Sequence, residues 1–167
     1  MAGTGIERDI ADFMAVLDTA IDGAMTDEVL DEVKDALQLA IQSEVYDKYQ
    51  PSMYERRGED MNRGTGALTD PDVMEHTYNR ATKTLTVTDM SMGGDPYNPS
   101  RAERLLYPII ESGVGYTWTR SRIYQMQPYP RPFHDKAEHM LEAGEGVASF
   151  EQRLIEGLNN RGLKATE

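Results

Sequence analysis

Residues 26–49 carry the most regular hydrophobic pattern in the chain. Their apolar residues recur at spacings of three and four, as on one face of a helix with about 3.6 residues per turn. Thr26 stands where an N-cap accepts backbone hydrogen bonds, and Pro51 disfavours helical geometry in the residue before it. The pattern therefore predicts one long helix, whose stripe comprises Val29, Val33, Leu37, Ala40, Ile41 and Val45.

A second amphipathic stripe precedes it, in residues 4–21. Thr4 and Glu7 have the spacing of a capping box, and Gly23 is a typical helix stop. Two arrangements are open: this first helix pairs with the long helix as a hairpin, or it projects and docks on another subunit as an assembly arm. Its apolar stripe comprises Ile6, Ile10, Phe13, Leu17 and Ile21.

The middle of the chain has the period-two pattern of strands. Strands are predicted over residues 73–79 and 83–90, with a hairpin at residues 80–82 and with Leu85 and Val87 on one face of the second strand. A further strand is predicted over residues 116–124. Glycine and proline predict extended loops over residues 51–66 and 91–99.

Three shorter helices complete the pattern. They are predicted over residues 100–111, where Pro108 kinks or shortens the helix, over residues 134–144, and over residues 149–158, where Ser149 and Gln152 form a capping box. The order predicts an α+β fold, in which the long helix packs on a small, mostly antiparallel sheet. One domain is expected over residues 1–167: an N-terminal helix (1–25), a core (26–145), and a C-terminal helix with a tail (146–167).

The net charge of -12 is concentrated near the N-terminus. Residues 1–49 hold 12 acidic and 3 basic residues, residues 50–135 hold 11 and 10, and residues 136–167 hold 6 and 4. A negative surface repels phosphates, so a nucleic-acid groove is not expected on the N-terminal helices. Acidic helix faces are usually just exposed to solvent. The more specific interpretation is that this acidic surface binds a basic partner.

Catalytic and metal-binding signatures are missing from the sequence. The absence of cysteine excludes disulfides and thiolate metal sites, and the three histidines (His76, His134 and His139) lack metal-ligand spacing. No phosphate-binding loop, nucleophile elbow or dinucleotide motif occurs. We therefore expect neither an enzyme nor a cofactor. No apolar run approaches the roughly 20 residues of a membrane span, and no signal peptide is recognisable, so a soluble protein made in the cytosol is expected.

Three landmarks follow one another along the chain: Thr65-Gly66-Ala67-Leu68 after the long helix and a proline, Glu111-Ser112-Gly113, and Arg131-Pro132-Phe133 before a helix. With the run at residues 45–57, they resemble the tail-completion or neck (head–tail connector) proteins of long-tailed bacteriophages and prophages, over residues 26–145. Two departures are the longer link at residues 91–110 and the extra terminal helices. The resemblance assigns structural roles to Gly66, Leu68, Glu111, Gly113, Arg131, Pro132 and Phe133.

The resemblance implies a virion structural protein of the neck or tail, produced in the host cytoplasm. It would assemble as a ring of copies, six- or twelve-fold, beside other phage neck or tail proteins, with DNA as passing cargo and no membrane. The expected interface residues belong to the acidic helices of one copy and the arginine-bearing middle of the next, and they are Asp12, Asp18, Tyr54, Arg56 and Arg57.

Three alternatives remain open from the sequence. Arg56 and Arg57, the adjacent basic pair, could instead pair with the acidic helices of their own chain. The acidic residues could line the lumen of the ring, where they would let the duplex slide without sticking. The chain could also be a monomeric acidic binding module, such as a phage-encoded regulator or a DNA-mimic inhibitor.

Overall fold

A computed structural model describes residues 5–48, 67–93, 104–114 and 129–166 of the chain. Within these ranges the fold is α+β, as predicted, with two small antiparallel sheets and helices at both ends. The elements in chain order are α1 (Gly5–Thr26), α2 (Glu28–Ile41), a π-helical turn (Gln42–Tyr46), a 3-10 turn (Pro71–Val73), β1 (Met74–Asn79), β2 (Thr84–Asp89), β3 (Met92–Gly93), β4 (Arg104–Leu105), α3 (Tyr107–Ser112), α4 (Phe133–Ala143) and α5 (Phe150–Asn160).

Helices α1 and α2 form one continuous helical rod. The Asp27 amide donates to the Gly23 carbonyl and the Asp31 amide donates to the Asp27 carbonyl, each at 3.0 Å, so helical hydrogen bonding crosses the junction. Asp27 is irregular, with φ -112° and ψ -90°, and the π-helical turn continues the rod to Tyr46. At about 1.5 Å per residue, residues 5–46 span roughly 60 Å. The alternative of a hairpin between the two helices is therefore wrong.

Two predicted helix ends are also wrong. Gly23 lies inside α1, where a Cβ would collide with the Arg161 side chain, so this glycine permits close packing and does not stop the helix. Thr26 is the last residue of α1, and its hydroxyl donates back to the Asp22 carbonyl at 3.0 Å instead of capping α2. The start of the long helix was misplaced because the first helix continues into it.

The predicted hairpin is confirmed. Strands β1 and β2 pair antiparallel, with Met74 opposite Asp89 and Asn79 opposite Thr84. The Asn79 side chain accepts the Ala81 amide at 3.0 Å in the turn, which fits the preference of asparagine for such positions. The hairpin places Met74 and Val87 against the core residues of α2, so the long helix lies on a small sheet.

Among the described residues, the helix predicted over residues 100–111 is wrong at Arg104 and Leu105. Arg104 and Leu105 form β4 and pair with β3, which replaces part of the loop predicted over residues 91–99. Helix α3 starts after Leu106 with Pro108 in its first turn, where the missing amide hydrogen is not needed. Residues 100–103, the strand predicted over residues 116–124 and the loop at residues 51–66 lie outside the described residues.

The last two helices agree with the sequence patterns. Helix α4 ends at Gly144, whose φ of +66° suits glycine, and α5 begins with a capping box between Ser149 and Gln152. Both helices pack on α2. The main core cluster of the described residues comprises Ala36, Leu37, Ala40, Ile41, Val45, Tyr46, Leu68, Met74, Ile110, Phe133, Ala137 and Met140.

Candidate assembly surfaces

The first three turns of α1 are exposed on every side. All residues from 6 to 16 are exposed, and we call this segment the arm. Its large apolar side chains retain 54 to 72 % of their accessible surface, and they are Ile6, Ile10, Phe13, Met14 and Val16. The sequence predicted this apolar stripe and left open whether the helix would pair with the long helix or project; over residues 6–16 the stripe is exposed, as in the projecting arrangement.

The apolar face of the arm continues into the body of the protein. At about 100° per residue the stripe of Ile6, Ile10 and Phe13 runs on to Ala20 and Ala24, which are buried. There α5 approaches closely, because a Cβ at Gly157 would lie 2.6 Å from the Cβ of Ala24. One helix face is thus covered by α5 near the C-terminal end of α1 and is uncovered along the arm.

The tip of the β-hairpin holds the base of the arm. The Asp22 carboxylate accepts hydrogen bonds from Lys83 and from the Tyr78 hydroxyl, both at 2.8 Å, and Arg80 lies 3.8 Å away. The hydrogen bond from Lys83, followed by that from Tyr78, lowers the pKa of Asp22 below its usual value. The same bond to Asp22 raises the pKa of Lys83. The contact therefore favours both charged forms and fixes α1 against the sheet.

A second contact holds the irregular turn at Asp27. Arg161, just past α5, bonds to Asp27 and donates to a Glu28 carboxylate oxygen at 2.7 Å. The hydrogen bonds from Asn160 and Arg161 outweigh the opposing effect of burial, so the pKa of Glu28 is lowered. With contacts on two sides, the direction in which the arm leaves the body is set by tertiary structure.

The predicted interface residues fall into three groups. Asp12 lies on the arm, is exposed, and forms no ion pair with any described residue. Asp18 lies at the base of the arm and pairs with Lys83 at 3.2 Å, although its side chain remains 67 % exposed. The other candidates, Tyr54, Arg56 and Arg57, lie outside the described residues.

The three sequence landmarks meet in one place. Leu68 and Phe133 belong to the same core cluster as Ile110, the residue before Glu111. The Arg131 amide donates to the carbonyl oxygens of Ile110 and Glu111, both at 3.2 Å. The landmarks thus join α3 to the start of α4, which is a structural role.

Individual landmark residues fit that role. A Glu111 carboxylate oxygen accepts the His134 amide at 2.8 Å and lies 2.7 Å from the His134 imidazole Nδ1, so it caps α4. Gly113 has φ +67°, a conformation that favours glycine. Pro132 is exposed and precedes the fully buried Phe133, and Gly66 lies outside the described residues.

Two buried acids were missed by the sequence patterns. Glu32 is 4 % exposed, accepts the Ala148 amide at 2.6 Å and pairs with Arg153. Asp89 is fully buried at the end of β2, where its Oδ1 accepts the Ser91 amide at 2.7 Å and its Oδ2 has no hydrogen-bond partner among the described residues. The burial of Glu32 could have been predicted from its position. Glu32 lies three residues after Val29 and four before Ala36, so it falls at the edge of the buried stripe of α2.

Burial of Asp89 has a testable effect on stability. Desolvation raises the pKa of Asp89, and this effect is opposed by its contact with Ser91 and by the nearby His134. The folded state therefore favours the protonated acid, and this contribution to stability is lost as pH rises through the raised pKa. Asparagine resembles the protonated acid at every pH. The free energy of unfolding of Asp89→Asn, relative to that of the wild type, should therefore be higher at neutral pH than near pH 4, which is about the ordinary pKa of aspartate.

The measurement is chemical denaturation of the wild type and of Asp89→Asn at both pH values, with the exposed Asp12→Asn as the matched control. A difference between Asp89→Asn and wild type that does not change with pH would contradict the account of this site.

Within the described ranges, no three residues among histidines, aspartates and glutamates are placed to hold a metal ion. No described helix combines the length and the apolar character needed to span a membrane.

Comparisons with known proteins give a family. A protein-family model described as YomN matches residues 9–160, which include most of the arm and all of the described elements after it. No curated protein and no solved structure matches the chain.

Proposed function

The chain belongs to the YomN family, and from this premise we propose that it is a bacteriophage virion structural protein of the neck or tail. It would act in tail completion or head–tail joining by assembling as a ring beside other neck or tail proteins. The work of such a protein is done by surfaces that bind copies and neighbours, without turnover of a substrate. The resemblance of residues 26–145 to tail-completion proteins supports this proposal.

The observation that carries the proposal is the exposure of the arm. Five large apolar side chains lie along three helical turns whose residues are all exposed. A contiguous apolar surface on an otherwise polar protein is typical of a binding site for another protein. The arm therefore favours a protein that completes its burial on assembly over one that works as an isolated monomer.

The distribution of charge weighs against the monomeric DNA mimic. Such a mimic needs free carboxylates arranged like phosphates, but several acids of the rod are paired with cations of the same chain. These paired acids are Asp18, Asp22, Asp27, Glu28, Glu32 and Glu44. The acidic residues of the arm lie beside exposed apolar side chains, which suits a protein interface better than imitation of DNA.

The direct test of the function is the location of the protein in particles. We expect antibody labelling to place the protein at the neck or tail of virions from the phage or prophage that encodes it. Deletion of its gene is expected to leave DNA-filled heads that are not joined to complete tails. Particles that lack the protein and assemble normally would contradict the proposal.

A salt series tests the electrostatic part of the ring interface. If acidic helices of one copy meet Arg56 and Arg57 of the next, the ring should dissociate as the Debye length falls from about 10 Å at 0.1 M salt to about 3 Å at 1 M. The double variant Arg56→Glu, Arg57→Glu should dissociate at lower salt than wild type. Sedimentation velocity measures both effects, and a ring unaffected by salt and by the double variant would count against this interface.

A further inference from the structure

We propose that the arm docks in an apolar groove of a different protein, and that a lysine or arginine on the wall of that groove pairs with Asp9. This inference rests on the proposed function, because it assigns the arm to a neighbouring neck or tail protein instead of a second copy of the chain. The apolar anchors are Ile6, Ile10 and Phe13, at the spacings of four and three that a helix uses when it binds in a groove.

The arm is held in a shape that a groove can receive. Its backbone is continuous with the rest of α1, so the unfavourable first turn of helix formation already exists in the body of the protein. The base of the arm is fixed at Asp22, which accepts hydrogen bonds from Lys83 and Tyr78, both at 2.8 Å. A preorganised helix loses less conformational entropy when it binds, which strengthens binding.

The width of the apolar surface favours a groove over a single partner helix. At about 100° per residue, Met14 and Val16 lie roughly 80° to either side of the line through Ile6. Ile10 and Phe13 lie between them, so the apolar surface covers nearly half of the circumference of the arm. Two paired helices touch along a narrow seam, which would leave Met14 and Val16 in water. A groove covers the helix on three sides.

One acid lies inside this apolar surface. Asp9 is three residues after Ile6 and four before Phe13, so these two large apolar side chains are its neighbours on the helix face. Asp9 is exposed, and its carboxylate forms no hydrogen bond or ion pair with any described residue. A groove that covers Ile6 and Phe13 also covers Asp9, and burial of an unpaired carboxylate is strongly unfavourable. The groove must therefore supply a cation at this position.

A second arm cannot supply that cation. Arg8 is the only basic residue of the arm, and at about 100° per residue it lies roughly 160° from Ile6, on the face opposite the stripe. Two arms that pair through their stripes would therefore place Asp9 against apolar and acidic side chains only. The net charge of -12 on each copy adds a long-range repulsion at low salt. Complementary charge thus favours a basic protein of different sequence.

Photo-crosslinking of the full chain, in cells that produce the phage particles, tests the contact at its centre. The photoreactive residue p-benzoylphenylalanine would replace Phe13, which is 56 % exposed, so folding should be unaffected. The matched control carries the same photoreactive residue in place of Glu75, which is exposed on the hairpin. Mass spectrometry of the linked peptides identifies the protein and the segment that the arm contacts.

The expected product joins the chain to a protein of different sequence, in several-fold excess over the control. Asp9→Leu should lower this yield several-fold, because the cation of the groove loses its partner, and Asp9→Glu should retain most of it. In a groove without a cation, Asp9→Leu would raise the yield, since leucine adds apolar surface. Ala15→Lys makes the same change in net charge on the opposite, exposed face of the arm, and it should have little effect.

Four results would overturn the inference: a link to the same chain or to a second copy, equal yields from the Phe13 and Glu75 positions, a yield that Asp9→Leu raises or leaves unchanged, and equal losses for Asp9→Leu and Ala15→Lys. The proposed function has a separate outcome. If the arm links two copies while the protein is present in the neck or tail, the proposed function stands without this contact. If the arm links to a basic protein that is absent from the particle, the inference stands and the proposed function fails.

Discussion

Replacement of Phe133 by alanine is expected to lower the free energy of unfolding by about 3–5 kcal/mol. Phe133 is fully buried, and it packs with Leu68 and Ile110 in the core cluster where the three sequence landmarks meet. The truncation would leave a cavity between α2, α3 and α4, whose backbones are fixed by hydrogen bonds and cannot close it completely. Denaturant titration measures the loss.

The matched control for this substitution is Phe150→Ala. Phe150 is 43 % exposed at the start of α5, so its truncation removes much less buried surface. We expect it to cost about 1 kcal/mol or less, since surface substitutions rarely exceed about 0.5 kcal/mol. Equal losses for the two variants would contradict the placement of Phe133 at the centre of the core.

The second large effect is expected at the pair of Glu32 and Arg153. Removal of one partner from a buried ion pair leaves an uncompensated charge and costs about 3–5 kcal/mol. The Glu32 side chain is 5 % exposed, but Arg153 is 33 % exposed, so water partly replaces the lost partner. We therefore expect Arg153→Met to destabilise the protein by about 2–3 kcal/mol.

Adding Glu32→Gln to Arg153→Met should recover part of this loss. Glutamine removes the buried charge and keeps an oxygen that can accept the Ala148 amide, which bonds to Glu32 at 2.6 Å. The control is Arg80→Met, because Arg80 is 81 % exposed and lies 3.8 Å from Asp22; it should cost less than about 0.5 kcal/mol. If the double variant is less stable than Arg153→Met, the stranded charge is not the cause of the loss.

Local patterns were sufficient for several elements of the fold. The hairpin of β1 and β2 and the capping box of Ser149 with Gln152 involve residues that are close in the sequence, and both were predicted correctly. The end of α4 at Gly144 is equally local. In these cases the interaction that stabilises the element is encoded within a few residues, so its pattern can be recognised without the tertiary structure.

Tertiary contacts explain the errors. Gly23 looked like a helix stop, but the side chain that packs on it, Arg161, is more than a hundred residues away. The pairing of Glu32 depends on Arg153, which is equally distant in the sequence. The burial of Asp89 depends on its position at the end of β2. For the candidate interface, the pattern identified the stripe of α1 but could not show that its first half extends beyond α5.

The central claim is that this chain works through surfaces that bind copies of itself, and its mass in solution tests that claim most directly. The chain has a mass of 18.8 kDa. Size-exclusion chromatography with light scattering, over a range of protein concentrations at low salt, should give a defined multiple of that value. A mass that stays at 18.8 kDa under all these conditions would contradict the account.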